Sequence, residues 1–274
     1  MVILDIAVSV SGISKRYVVN EYRYKGTLSE ILGRWITPPF RGNAKAGVVP
    51  RRVPESIWAL RNVSFEVGAG RIMGVIGRNG SGKSTLLRIL ARITTPTEGN
   101  AILHGRVGAL LEVGTGFHPD LSGRENILLI GTMIGMTPRE TRRREEEIVA
   151  FSECEDFIDT PVKHYSSGMF MRLAFSVAAH LEAEIMLVDE VLAVGDEAFQ
   201  IKCKTKIRES AVTGRTVLFT SHDLEAIRNT CDSCLVLDHG RIAHIGDVEQ
   251  AIRLYEEICA AAPVAIGDVR TAPP

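Results

Sequence analysis

The amino-acid sequence predicts an α/β fold built on a mostly parallel sheet. Three short apolar runs are the main indication, and they cover Ile72–Ile76, Ile185–Val188 and Thr216–Thr220. Each run has the length of a strand that is buried on both faces, and helical patterns separate the runs along the chain. Because strands that alternate with helices usually pair in parallel, these runs are expected to form the centre of one sheet.

Composition and charge exclude several classes of protein. The chain of 274 residues is 45% hydrophobic and 24% charged, which is ordinary for a folded globular protein. Its 32 basic and 33 acidic residues give a formal net charge of -1, so binding to nucleic acid is not expected. No apolar stretch approaches the roughly 20 residues of a bilayer span, and Met1–Val10 lacks the basic lead of a signal peptide. We expect a protein that stays in the cytoplasm, with any membrane passage made by a partner.

The first part of the chain combines strand patterns with one helix. Val2–Val10 and Val63–Val67 alternate as strands do, and a loop containing Tyr17 is expected after the first of them. Between these strands, Thr27–Trp35 has a capping box and an apolar stripe, so an inserted amphipathic helix is predicted over 27–35. Residues 41–54 are rich in glycine, alanine, proline and basic side chains, and are expected to form a flexible connection.

The rest of the chain continues the alternation of strands and helices. Val107–Leu111 and Cys234–Leu237 have the pattern of further strands. Residues 122–180 have an almost entirely helical pattern and are predicted to form a helical lobe inserted into the domain. We therefore expect one domain over 1–259, and a disordered tail over the small, proline-rich residues 260–274.

A phosphate-binding loop follows the first buried run. Gly77–Ser84 matches the pattern GxxxxGKS, and it lies between a predicted strand and a predicted helix, as its mechanism requires. The glycines would let backbone N–H groups surround phosphate oxygens at the N-terminus of the helix. Lys83 would reach the β- and γ-phosphates of ATP, and the Ser84 hydroxyl would bind Mg²⁺. The residues predicted to contact the nucleotide here are Gly77, Arg78, Asn79, Gly80, Ser81, Gly82, Lys83, Ser84 and Thr85.

Two adjacent carboxylates follow the second buried run, Ile185–Val188. Ligands of such sheets bind at the carboxyl ends of the strands, so both carboxylates are expected near the phosphate-binding loop. Asp189 is predicted to hold Mg²⁺, directly or through water. Glu190 is predicted to orient and deprotonate the attacking water. The sequence therefore predicts an ATPase that uses Mg²⁺.

A third motif indicates a family. Tyr165–Met169, followed by Arg172, resembles the signature motif of the ABC ATPases, whose commonest form is LSGGQ. The resemblance implies a mostly parallel sheet with an antiparallel β portion and an inserted helical subdomain. It also implies that Ser166, Ser167 and Gly168 bind the γ-phosphate of a nucleotide held by a second copy. Two chains would then enclose two ATP molecules as a homodimer.

The same resemblance suggests roles for residues further from the main motifs. His222 is similar to the switch histidine of the family, and with Lys83 and Glu190 it would complete the catalytic set. Asp196 falls in the loop that, in the family, touches the opposite nucleotide site. Glu112 stands where the family usually has glutamine, beside the nucleotide, and its carboxylate could bind Mg²⁺ or water.

One aromatic residue is expected to stack on the adenine ring. Tyr17 is the first candidate, and Tyr22 or Tyr24 could take its place, since any of these rings offers a flat apolar face.

A narrower resemblance concerns the substrate. Gly114–Pro119 and Leu121–Asn126, together with Glu112, resemble bacterial exporters of lipid-linked polysaccharides such as O-antigen, capsule and teichoic acid. This implies a homodimer docked on two copies of an integral membrane permease, which carries the glycan. The chain would be peripheral, on the cytoplasmic face of the bacterial inner membrane. An ABC exporter of another substrate, such as a lipid or a drug, and a soluble ABC ATPase are the alternatives.

The predicted helix 27–35 has two interpretations. Its apolar face could lie at the membrane interface or against the permease, which would suit the exporter resemblance. It could equally pack against its own domain.

Overall fold

The computed structural model describes residues 6–19, 55–111, 116–189, 195–212 and 214–261. Several predictions fall outside these ranges: the helix 27–35, the connection 41–54, most of the tail, and the single residues Tyr22, Tyr24, Glu112 and Glu190.

The main sheet has six strands, which are β3 Ile72–Ile76, β5 Val107–Leu110, β6 Ile185–Asp189, β7 Thr216–Thr220, β8 Ser233–Asp238 and β9 Arg241–Gly246. Their order in the sheet is β5-β6-β7-β3-β8-β9. From β5 to β8 all neighbouring strands are parallel, and β9 closes the edge antiparallel to β8. The prediction of a mostly parallel sheet is therefore confirmed.

A second sheet has the order β2-β1-β4, formed by β1 Ile6–Val19, β2 Glu55–Gly68 and β4 Glu98–Leu103. The pairing of β1 with β4 is antiparallel, as the resemblance implied. The prediction of a loop around Tyr17 is wrong, because β1 continues through that residue to Val19. An irregularity in the pairing with β4, between Ser11 and Ser14, shifts the register where Gly12 adopts a φ of 61°. Such a bulge breaks the alternation by which a strand is recognised in a sequence.

The stretch expected to be helical holds three α-helices, which we call the helical lobe. Ser122 and Thr137 cap the first two of them, each in a capping box with a glutamate three residues later. The lobe has its own apolar cluster, centred on Ile127, Ile148 and Leu173. Its helices are α2 Gly123–Met133, α3 Pro138–Ser152 and α4 Ser167–Ala179, with 3-10 turns at Glu155–Phe157 and Val162–His164.

The remaining helices pack around the main sheet, and alternate residues of its central strands enter different apolar clusters. Phe219 of β7 belongs to one cluster and Leu218 to the other. The helices are α1 Lys83–Leu90, α5 Glu197–Val212, α6 Leu224–Thr230 and α7 Val248–Ala261. Helix α7 extends two residues into the predicted tail, so Ala260 and Ala261 are helical instead of disordered. No described helix has both the length and the apolar content that crossing a membrane requires.

The chain is divided into two compact units. One consists of residues 1–15 and 59–274, and the other consists of residues 16–58, a wider range than the predicted insertion. In the described part of the second unit, the Arg16 guanidinium lies 5.5 Å from the ring centroid of Trp58.

Candidate nucleotide site

Three parallel strands bring the predicted site residues to one edge of the main sheet. In the register of the sheet, Thr220 of β7 pairs with Val75 of β3 on one side and with Asp189 of β6 on the other. The phosphate-binding loop follows β3, and His222 follows β7. The loop, Asp189 and the segment carrying His222 therefore share the carboxyl edge of the sheet, where ligands of this fold class bind.

The phosphate-binding loop has a backbone that only glycine readily adopts. Gly80 and Gly82 have φ values of 80° and 108°, and Gly82 is the residue that precedes α1. A Cβ on Gly82 would lie 2.5 Å from the carbonyl oxygen of Ala59 and 2.7 Å from Cδ2 of Leu60. The loop is closed by the Ser81 N–H, which donates to the Arg78 carbonyl at 3.0 Å.

The ammonium group of Lys83 is buried within this loop. Its Nζ donates to the carbonyl of Gly77 at 2.7 Å and to that of Arg78 at 3.4 Å, and the residue is 7% exposed. At the loop's tip, Arg78, Asn79 and Gly80 are exposed.

The loop suits a polyphosphate in three ways. The hydroxyl of Ser81 is buried without a hydrogen-bond partner among the described residues, so it has a proton to donate. The first turn of α1 contains no acidic residue, so nothing there opposes an anion at the helix N-terminus. Lys83 adds a positive charge within the same loop. An orphaned donor, a helix N-terminus and a buried cation together favour an anion with several oxygens.

Hard oxygen ligands for a cation lie on the neighbouring elements. Helix α1, whose first turn carries Ser84 and Thr85, contacts strand β6, whose last residue is Asp189. Thr220 donates its hydroxyl proton to Oδ1 of Asp189 at 2.5 Å. A hydroxyl and one carboxylate suit Mg²⁺, which usually binds through one or two carboxylates plus substrate phosphates. No described group of three or more His, Cys, Asp or Glu side chains could hold a metal by itself.

The side chain of His222 is exposed and helps to line a cleft of about 610 Å³. Arg78 and Asn79 of the phosphate-binding loop line the same cleft. The cleft is completed by Tyr255 and Cys259 of α7, which the sequence analysis did not select. No sequence signal could have found them, because they belong to a helix with an ordinary amphipathic pattern.

The signature segment begins helix α4. The Ser166 hydroxyl caps this helix by accepting from the Met169 N–H at 3.2 Å, and Ser166 and Ser167 are exposed. A Cβ on Gly168 would meet only the Ser166 hydroxyl, at 3.9 Å. The first turn of α4 has no acidic residue. This helix start is open to an anion from outside the chain.

Arg172 connects the signature helix to the start of α5. Its guanidinium forms 2.7 Å ion pairs with Glu153 at the end of α3 and with Asp196 before α5. It also lies 5.2 Å from the ring centroid of Phe199, whose N–H donates to Asp196 at 3.0 Å. The predicted site residue Asp196 is thus joined to the helical lobe through a single side chain.

The predicted adenine platform remains a prediction. Tyr17 lies on β1 and is 40% exposed.

The fold and the loop define a P-loop nucleotide-binding protein, and comparison with known proteins narrows this class. The ABC transporter family matches residues 60–193. The O-antigen export system ATP-binding protein RfbB of Klebsiella pneumoniae is 46% identical over 202 residues, which are 74% of this chain and 82% of that protein. The chain belongs to the family of ABC transporter ATP-binding proteins.

Other relatives carry names from the same branch. The RfbB protein of Myxococcus xanthus is 43% identical over 248 residues, which are 90% of this chain but 54% of that relative. The teichoic acids export ATP-binding protein TagH of Listeria innocua is 38% identical over 203 residues, which cover 74% of this chain and 60% of that protein. The predicted resemblance to O-antigen and teichoic acid exporters is confirmed.

Solved structures support the fold. The ATP-binding cassette MJ0796, determined as a dimer in a post-hydrolysis state bound to ADP and Pi, matches 88% of this chain with a TM-score of 0.67 at 21% identity, and 98% of that structure is covered. The predicted ABC-type α/β fold is confirmed.

Proposed function

We propose that this chain is the ATP-hydrolysing subunit of an ABC exporter that moves a lipid-linked polysaccharide across the cytoplasmic membrane. The main support is that a phosphate-binding loop, Asp189 and the His222 segment share one sheet edge. This edge belongs to a chain that is 46% identical to an O-antigen export protein.

In the proposed reaction, each residue at the edge has a separate task. Lys83 neutralises charge on the terminal phosphates, and Ser84 with Asp189 holds Mg²⁺. The metal ion, when bound, offsets the charge that develops between the β- and γ-phosphates. Glu190 orients the attacking water and accepts its proton, and His222 contacts the γ-phosphate.

The signature segment is proposed to act on a second copy of the chain. Ser166, Ser167 and Gly168 offer a hydroxyl-lined helix N-terminus with no acidic residue in its first turn, which suits the γ-phosphate of a nucleotide bound elsewhere. Two copies would enclose two ATP molecules, and Asp196 would approach the opposite site. Closing and reopening of this homodimer would drive the transport cycle.

We further propose two copies of an integral membrane permease as partners, with the lipid-linked glycan carried by the permease. The chain would then be peripheral on the cytoplasmic face of the bacterial inner membrane. Contact of helix 27–35 with the membrane or the permease remains a hypothesis. The roles of Glu112 and of the adenine platform also remain predictions.

The test is capture of partners from membranes with tagged Glu190→Gln protein and ATP. Slowed hydrolysis should hold the closed dimer on its permease, so we expect a multi-span membrane protein to copurify and lipid-linked glycan to accumulate inside the cell. Lys83→Ala is the matched control, because it should lose the nucleotide-dependent capture. Recovery of a permease without glycan accumulation would favour export of another substrate. Recovery of ribosomes or DNA, or of no membrane protein, would favour a soluble ATPase.

A further inference from the structure

Thr220 places a buried hydroxyl at the carboxyl end of β7. It is the last residue of β7, is 0% exposed, and follows the buried residues Val217, Leu218 and Phe219. A buried hydroxyl destabilises a protein unless it is hydrogen-bonded. The structure therefore has to supply an acceptor for this proton, and the identity of the acceptor bears on function.

The acceptor is the carboxylate proposed to hold Mg²⁺. The Thr220 hydroxyl lies 2.5 Å from Oδ1 of Asp189 and 3.4 Å from the carbonyl oxygen of Val188. A hydroxyl has one proton, and a charged acceptor at the shorter distance forms the stronger bond. Thr220 thus donates to Asp189, which lies directly opposite it in the β6–β7 register.

This bond restricts how the carboxylate can turn. Threonine is branched at Cβ and stiff about its first side-chain torsion, so its hydroxyl keeps a fixed direction on a strand buried between two neighbours. Oδ1 of Asp189 is thereby held toward β7, which limits rotation of the carboxylate at the carboxyl edge. Groups that orient the ligands of a metal in this way commonly change metal affinity by about 10-fold to 100-fold when they are removed.

We propose that Thr220 is a positioning residue for the metal site, because its hydroxyl holds the Asp189 carboxylate in the orientation that binds Mg²⁺ beside the nucleotide. The inference rests on the proposed function. It adds that the strand leading to His222 also sets the geometry of the metal ligand, through the hydrogen bond from Thr220 to Asp189.

The test compares one substitution that removes the proton donor with one that keeps it. Thr220→Val keeps the branched shape and removes the proton donor, whereas Thr220→Ser keeps the donor. Mn²⁺ serves as the probe, and its binding to the full-length chain with a non-hydrolysable ATP analogue is followed by electron paramagnetic resonance. We expect Thr220→Val to weaken Mn²⁺ binding about 10-fold, and Thr220→Ser to stay within about threefold of the wild type. Binding of the analogue in the presence of a chelator should be equal in all three proteins.

A second measurement separates positioning from a purely structural role. In an Asp189→Asn background, Thr220→Val should have no further effect on Mn²⁺ binding, because the group that it orients has lost its charge. If Thr220→Val does not fold, Thr220→Ala replaces it in both experiments. Unchanged Mn²⁺ affinity without the hydroxyl, or equal losses in the two backgrounds, would overturn the inference. A wild-type chain that binds neither Mn²⁺ nor the analogue would instead overturn the proposed function.

Discussion

In the six-stranded sheet, every residue of β3 and β7 is buried, whereas in α3 of the helical lobe the buried residues are Thr141, Ile148, Val149 and Ser152. The strands are apolar on both faces and pair with neighbours on both sides. The lobe helix has one apolar stripe and a charged outer surface.

Exposed ion pairs add to the apolar contacts on the outer surface of the lobe. Arg124 of α2 contacts Glu145 on α3 and Asp159 beyond it, and the hydrogen bond to Glu145 raises the pKa of Arg124 further above its usual range. Arg144 of α3 contacts Glu182, before β6, at 2.7 Å. Exposed pairs contribute about 0–1 kcal/mol each and are screened by salt. The edge that would hold the nucleotide is built on strands buried on both faces, whereas the outer helices α2 and α3 of the lobe add exposed ion pairs, which are weaker contacts.

The largest effect is expected at the phosphate-binding loop. Gly82→Ala forces a φ of 108° on alanine and drives its Cβ against Ala59 and Leu60. Strain on the order of 1–3 kcal/mol at this loop should weaken binding of an ATP analogue by about 10-fold or more. Gly214→Ala is the control, because φ is 87° there but no atom lies within 4 Å of the new Cβ. It should lower stability slightly and leave nucleotide binding unchanged. Equal losses of binding in the two variants would show that the loop geometry is not the cause.

A pH effect is expected where the signature helix meets the sheet core. His180 follows α4, its ring packs edge-on against Phe151, and its Nδ1 lies 2.7 Å from the carbonyl of Ser176. Burial lowers the pKa of His180 from 6.5 to about 4, against a smaller opposite effect of the Ser176 hydrogen bond. Between these pH values the unfolded chain binds a proton that the folded chain does not. Stability contributed by neutral His180 is therefore complete above the unfolded pKa and falls as the pH drops from 6.5 toward 4.

Urea unfolding checks this expectation. Between about pH 7.5 and pH 5, the wild type should lose on the order of 1–2 kcal/mol more than His180→Asn, which keeps a donor for the Ser176 carbonyl but cannot titrate. An equal loss in the two proteins would assign the pH dependence to other groups.

Salt should separate the two regions in amide hydrogen exchange. At about 1 M salt the screening length falls to about 3 Å, so exposed ion pairs of the lobe weaken. Exchange of α2 and α3 amides should become severalfold faster, while β3 and β7 amides should keep their rates. If the exchange rates of both regions rise together, the ion pairs do not stabilise the outer helices of the lobe.

The smallest effect concerns the link between the signature helix and α5. Arg172→Gln removes the ion pairs with Glu153 and Asp196, and should cost about 1 kcal/mol of stability. ATP hydrolysis should fall severalfold because Asp196 is no longer joined to the signature helix, while binding of an ATP analogue stays unchanged because the phosphate-binding loop is untouched. Lys163→Gln loses one exposed ion pair with Asp120 and is the control. A drop in hydrolysis of the same size in the control would assign the effect to general loosening of the lobe.

Local sequence patterns predicted the strands that are buried on both faces, because such strands appear in the sequence as short, continuous apolar runs. The short apolar runs became β3, β6 and β7, since a strand covered on both faces needs no alternation. Strand β9 was missed because its residues are exposed or half-buried, and its position depends on pairing with β8.

The candidate nucleotide site was predictable where one short segment supplies all the groups that would contact the phosphates. Gly77–Ser84 forms the phosphate-binding loop by itself, so its pattern is readable. The bond from Thr220 to Asp189 joins residues 31 positions apart, and the cleft brings Tyr255 near Arg78. Only the strand register and the packing of α7 create these neighbours, and neither is encoded in a short motif.

The backbone on both sides of His222 is held by hydrogen bonds. The Asp223 N–H donates to the Ser221 hydroxyl at 3.0 Å, and the Asp223 carboxylate accepts from the N–H groups of Glu225 and Ala226 at the start of α6. Lys204 of α5 pairs with the same carboxylate at 3.2 Å. The main chain that carries His222 is therefore fixed, and a change in the contacts of its imidazole requires movement of the side chain only. Side-chain rotations of exposed residues take picoseconds to nanoseconds and movements of whole helices take microseconds to milliseconds, so under the proposed function the contact between His222 and a phosphate would change before the helical lobe moves.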